Sequence, residues 1–277
     1  EDRKNILATL TALSWFGRDN TKYVRELWNS ISKNEFWSKE VLSIPYLNKK
    51  DFIMYPMIKP SSLRAYLLQS VVTENVHWDN LYPSANSEIV KIYNSILNKE
   101  IEQENEIANS TKEIWYNFMN KLFGCKPIVL FAQRKYINES FDEFNQMETL
   151  EDTNAPWDWD HIYPDSWVYY QQNISKQTRH WNRSIGNFRA LSLEENRSEN
   201  NRLSPCDRLI NVREQSFIKE NDWIFWSKIN RRVNDGDHEM INHHLSAIVH
   251  RLCNIYEEWY ETLDIGHLFN LNRKILA

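Results

Sequence analysis

The chain has 277 residues and a mass of 33.4 kDa, which suits one large domain or two modest ones. Only five residues are Gly, against an average share of about 7%, and this shortage of turn formers excludes a β-sandwich, barrel or propeller; 42% hydrophobic content with 12 Trp excludes general disorder. Thirty-three Lys and Arg against 38 Asp and Glu give a net charge of −5, which excludes a globally basic nucleic-acid binder but not a local basic patch.

Taken in chain order, residues 1–123 read as helices. Ile6, Leu10 and Leu13 recur at helical spacing, with Gly17 after Phe16 as a stop signal. Val24, Leu27, Trp28 and Ile31 form a second stripe, Leu63, Leu67 and Val71 a third, and Ile89, Ile92, Ile96 and Leu97 a fourth. Ser110 with Glu113 has the spacing of a capping box ahead of Ile114, Trp115, Phe118 and Leu122. No chemistry is visible in this half, and a scaffold or docking role is the plain expectation. Residues 124–148 hold one more apolar segment, Ile128 to Phe144. Near the end, Ile241, Leu245, Ile248, Leu252, Ile255, Trp259 and Leu263 mark a long helix with one buried face, and His243, His244 and His250 are expected on its surface.

The middle differs in charge. Residues 136–165 contain nine acidic residues and neither Lys nor Arg, whereas residues 179–213 contain seven Arg, no Lys and four acids. Such a pair suits a metal site beside a phosphate-binding surface, because the Arg fork matches phosphate geometry; a solvated, salt-bridged surface is the plainer alternative. Trp157-Asp158-Trp159-Asp160-His161-Ile162-Tyr163-Pro164 alternates like a strand that Pro164 ends. Ser184 to Leu193 reads as a second strand with Gly186 near its start, and Glu194 to Asn201 as a polar helix. Strand, loop, strand and helix in this order make a ββα-metal pattern. The expected fold class is therefore mainly α (α+β): helical bundle regions flank a small ββα module with its core at about 155–203, inside a domain of residues 124–277 that follows the helical region 1–123.

The pattern D-x-D-H-I-x-P, then S-I-G-N-F-x-x-L, then Asn196 and Asn200, resembles an HNH (His-Me finger) nuclease. It is most similar to the C-terminal domain of GmrSD-type, modification-dependent (type IV) restriction enzymes, and the spacing is also similar to the HNH domain of CRISPR effector nucleases. Phe131-Ala132-Gln133-Arg134 adds to the likeness, which covers roughly residues 125–230. The resemblance implies a bacterial anti-phage enzyme that nicks DNA, including modified phage DNA, with Mg²⁺ or Mn²⁺. On that basis His161 is the expected general base, since imidazole takes a proton near neutral pH. Asp160 and Asn196 are the expected metal ligands, since Mg²⁺ is held by a few protein oxygens together with water and phosphate. Asn187 is the expected orienter that ties the loop and holds His161. Asp158 is a candidate for the outer sphere and Asn200 a fallback ligand. Arg183, Arg189, Arg197 and Arg202 are the expected contacts to the DNA backbone.

The resemblance also implies an N-terminal NTP-using domain or a separate subunit; none is recognisable here, and a chain that opens with Glu1 is expected to be a piece of something longer. An oligomer would let a one-strand cutter make a double-strand break. Two other functions remain open: a catalytically silent DNA-binding or docking module of a defence complex, and an HNH-type toxin. His238 and His243 nearly spell a zinc-protease motif, but their five-residue spacing places them on different faces of a helix. Cys125, Cys206 and Cys253 form no CxxC pair, and no apolar run is long enough for a membrane helix, so a reducing cytoplasmic setting with no membrane is expected.

Overall fold

A computed structural model of the chain describes residues 2–31, 54–55, 57–69, 104–141, 155–169, 174–199, 203–234 and 236–267. It is mainly helical with one small two-stranded sheet. The fourth apolar stripe, Ile89 to Leu97, lies outside the described residues. Contacts divide the chain into two compact units, Glu1–Tyr66 with Asp79–Leu122 and Glu257–Ala277, and Leu67–Trp78 with Phe123–Tyr256. Phe123 opens a stretch of the second unit, and the end of the chain, from Glu257, groups with the first.

In the first unit, α1 (Asp2–Phe16) ends just before Gly17, and α2 (Asn20–Ile31), α3 (Pro60–Leu67) and α4 (Glu104–Gly124) follow. Helix α4 starts six residues before Ser110, so the Ser110–Glu113 pair lies inside it and does not cap its start. An aromatic core forms where Phe16 meets Phe118 and Trp259, with ring centroids 5.4 and 5.3 Å apart. The Trp259 indole donates to Thr11 Oγ1 at 3.0 Å, which satisfies its polar edge.

The second unit holds the sheet. Helix α5 (Lys126–Ala132) opens with Pro127 in its first turn, where the missing N–H costs nothing. Helix α6 (Arg134–Ser140) follows directly, so the segment expected from Ile128 to Phe144 breaks at Gln133. Strand β1 (Trp157–His161) pairs antiparallel with β2 (Phe188–Ser192), with Asp160 opposite Arg189 and His161 opposite Phe188. Between them lie α7 (Ser166–Tyr169) and α8 (Lys176–Asn182); Ser175 caps α8 by accepting from the Thr178 amide at 3.1 Å. Helix α9 (Leu193–Glu199) leaves β2 at once and packs on both strands. Its start is a capping box: Ser192 Oγ accepts from the Glu195 amide, and the Glu195 carboxylate accepts from Ser192 Oγ and N. The Tyr136 hydroxyl adds a 2.6 Å bond to Glu195. Helices α10 (Pro205–Leu209) and α11 (Glu220–Trp226) lead to the long α12 (His238–Thr262).

The second strand is shorter than its sequence suggests. Residues 184–187 form a tight turn instead, and Gly186 explains why: a Cβ there would lie 2.2 Å from the Ile248 carbonyl oxygen of α12. The turn backbone therefore rests directly on the helix. Gly186→Ala is expected to destabilise the fold by about 3 kcal/mol through overpacking against backbone, read as a lower urea midpoint at unchanged slope.

Helix α12 also corrects an expectation. His244 is fully buried, its ring 4.4 Å from that of Tyr163, and neither ring nitrogen has a hydrogen-bond partner. Burial pushes its pKa down to about 3. The unfolded chain binds this proton near 6.5, so the contribution to stability is complete above that value and is lost as pH falls from 6.5 towards 3. At pH 5 the loss is about 2 kcal/mol for this group alone. Thermal melts at pH 7.5 and pH 5 test this, and His244→Phe should flatten the difference.

Candidate active site

The site is built on the end of β1, the start of β2 and the turn before it, all in the second unit. Because side chains alternate along a strand, Asp158 and Asp160 share one face while Trp159 and His161 share the other. The two faces have different chemistry.

On the first face Asp160 is only 6% exposed. Arg189, directly across the sheet, donates through Nε to Asp160 Oδ2 at 2.8 Å. Arg208 of α10 donates through Nη2 to Asp160 Oδ1 at 2.9 Å. Both guanidiniums are themselves buried. Arg208 Nη1 also donates to the carbonyls of His161 and Ile162, and Arg189 Nη1 donates to Ser216 Oγ at 3.0 Å. A third buried guanidinium, Arg251 of α12, donates to the carbonyls of Ile185, Gly186, Phe188 and Ser216. Burial, then the nearby Arg189 charge, lowers the Arg251 pKa to about 9. Further along the same face, Asn196 of α9 donates to Asp158 Oδ2 at 3.2 Å, and both side chains are half-buried.

Asn187 closes the turn. Its Oδ1 accepts from the Tyr163 amide at 2.8 Å, and its Nδ2 donates to the Tyr163 and Asn182 carbonyls at 3.0 and 2.8 Å. The Asn187 carbonyl accepts from the Ile162 amide at 2.9 Å. A fully buried amide is thus satisfied by the Tyr163 backbone and by Asn182, rather than by the imidazole itself.

On the opposite face His161 is half-buried, its ring 4.3 Å from that of Phe188. Its ring nitrogens make no hydrogen bond to another described residue. Burial lowers its pKa below the ordinary histidine value, and the charges of Lys126 and Arg183 push the same way; Asp165 and Asp160 oppose them. Lys126 Nζ lies over the Phe188 ring at 4.6 Å and over Trp159 at 5.2 Å, so this cation sits beside the imidazole. Arg183 is exposed and lies 3.6 Å from Asp165. The face thus offers an imidazole whose charged form burial disfavours, with Lys126 over the adjoining Phe188 ring.

The expected site residues divide accordingly. His161, Asn187, Asp158, Asp160 and Asn196 come together around β1, β2 and α9. Arg183 is at the surface, whereas Arg189 is fully buried beneath Asp160 and its guanidinium is spent inside the fold, so it is no surface phosphate contact. Arg197 lies on α9, with its side chain outside the described residues; Asn200 and Arg202 lie outside them altogether. An ion held between Asp160 and Asn196 does not fit this arrangement: both Asp160 oxygens are occupied by guanidiniums and Asn196 is paired with Asp158. Among the described residues no three His, Cys, Asp or Glu side chains gather as a metal cluster, and no helix is long and apolar enough to cross a membrane.

Lys126, Ser216 and Arg251 complete the surroundings without having stood out in the sequence, and Arg208 stood out only as one of the seven Arg of residues 179–213, since each reaches the sheet from a separate element. Gln133 does belong to the Phe131–Arg134 element. It acts as a substitute strand edge, with Oε1 accepting from the Ala190 amide at 2.9 Å and Nε2 donating to the Ala190 carbonyl at 3.2 Å. No family model, curated protein or solved structure matches this chain.

Proposed function

We propose that the chain is an HNH-type endonuclease that cuts one strand of DNA, with His161 as general base. The observation that carries the reading is His161 itself: a half-buried imidazole at a strand end, its charged form disfavoured by burial, with no ring hydrogen bond to another described residue, and with Lys126 over the adjoining Phe188 ring. In the proposed reaction His161 takes a proton from water as the oxygen attacks phosphorus and the P–O3′ bond breaks; the departing O3′ takes a proton from solvent water, leaving a 3′-hydroxyl and a 5′-phosphate. Lys126 and Arg183 hold the phosphate and offset the charge that develops on it. Asn187 keeps the loop after His161 in one conformation. Dependence on Mg²⁺ or Mn²⁺, and a role in anti-phage restriction, belong to the proposal through the resemblance alone.

The test is incubation of supercoiled plasmid in EDTA, Mg²⁺ or Mn²⁺. Open circles should form first and linear DNA later. Lys126→Ala and Arg183→Ala should each weaken DNA binding and lower the slope of log affinity against log salt by about 0.9. Unchanged slopes would remove these cations from the DNA surface.

One observation favours a second reading. The closure of Asp160 by two arginines suits a silent DNA-binding module, which would bind the plasmid yet cut it under no ionic condition.

A further inference from the structure

We infer that Asp160 and Arg208 are positioning residues for His161, forming with Arg189 a buried triad that fixes the His161 backbone and leaves Asp160 no role as an ion ligand. This rests on the reading of His161 as the base. Three observations carry it. Asp160 precedes His161, and each of its oxygens already accepts from a buried guanidinium, at 2.8 and 2.9 Å. Arg208 spans the two residues, since one nitrogen holds the Asp160 carboxylate while another holds the carbonyls of His161 and Ile162. Arg189 carries the restraint across the sheet to Ser216, whose carbonyl also receives Arg251.

Charge supports the same conclusion. Each Asp160 oxygen already faces a buried guanidinium, so a divalent cation approaching this carboxylate would have to displace bonded cations. The planar fork of Arg208 is needed because it bonds in two directions at once; a Lys in its place keeps the charge but loses the bridge. The imidazole is then aimed by its own backbone, from the side of the strand opposite to the one on which it works.

The experiment compares wild type, Arg208→Lys and Asp160→Asn. In Arg208→Lys the nicking kcat should fall on the order of tenfold to a hundredfold with KM within about twofold, as misplacement of a base predicts. The ring carbon–proton NMR signal of His161, single and sharp in wild type, should broaden or double. Mn²⁺ titration followed by electron paramagnetic resonance should give Asp160→Asn the same affinity as wild type, whether measurable or nil. A single unchanged His161 signal in Arg208→Lys, an effect confined to KM, or a Mn²⁺ affinity lost in Asp160→Asn would each overturn the inference. The NMR and Mn²⁺ measurements need no turnover. A wild type that never nicks but shows the His161 signal change would therefore refute the nuclease reading and leave the positioning triad standing.

Discussion

Asp160→Ala should destabilise the folded chain by about 3–5 kcal/mol, the range for removing one partner of a buried ion pair. The cost does not measure the attraction of the pair. It arises because Arg189 and Arg208, both buried, would keep their charges with no anion between them. It should persist at high salt, since the groups lie away from the ionic atmosphere. Distance alone would rank such pairs wrongly. Lys135 and Glu214 are closer, at 2.7 Å, but both are mostly exposed, and removing that pair should change little. Urea titrations of both variants check the contrast. A loss below about 1 kcal/mol for Asp160→Ala would mean that the two guanidiniums find other acceptors at little cost.

His161→Ala should slow nicking by about a hundredfold to ten-thousandfold, the usual contribution of a positioned general base. The fold should survive, because the ring is half-buried and makes no hydrogen bond to the described residues around it. DNA binding should also survive, because the proposed phosphate contacts belong to Lys126 and Arg183. The neutral ring is the active form, so the rate should fall as pH drops through the His161 pKa. That pKa lies below the ordinary value, chiefly through burial, so the plateau should extend to lower pH than a solvated histidine allows. Removing Lys126 or Arg183 removes a charge that lowers this pKa, and the acid limb should move upward.

Local pattern made much of the second unit legible in the sequence. Alternation in Trp157–His161 marks β1, and the polar run after Leu193 marks α9, since both signals arise within a few residues. The start of β2 was misplaced because the deciding contact is distant: Gly186 meets Ile248, and no local property of Ser184–Asn187 reveals that. Ser192 and Glu195 form a capping box at the spacing that Ser110 and Glu113 share, yet the latter pair sits inside a helix, so spacing alone does not place a helix start. Periodicity placed α12 but not His244, whose polarity argued for the surface while its position on the buried face decided otherwise. At the site, the closeness of Asn187 to the loop after His161, and of Asn196 to Asp158, follows from the order of elements. The occupation of Asp160 does not, because Arg208 arrives from a separate helix and nothing in the spacing ties it to β1.

A time course of supercoiled plasmid with wild type and His161→Ala, at neutral pH with Mg²⁺ or Mn²⁺ and in EDTA, tests the central claim most directly. The predicted result is open circles from wild type in at least one ionic condition and, with DNA binding intact, a rate at least about a hundredfold lower in the variant. Equal rates for the two proteins, or no open circles from wild type in any condition, would contradict it.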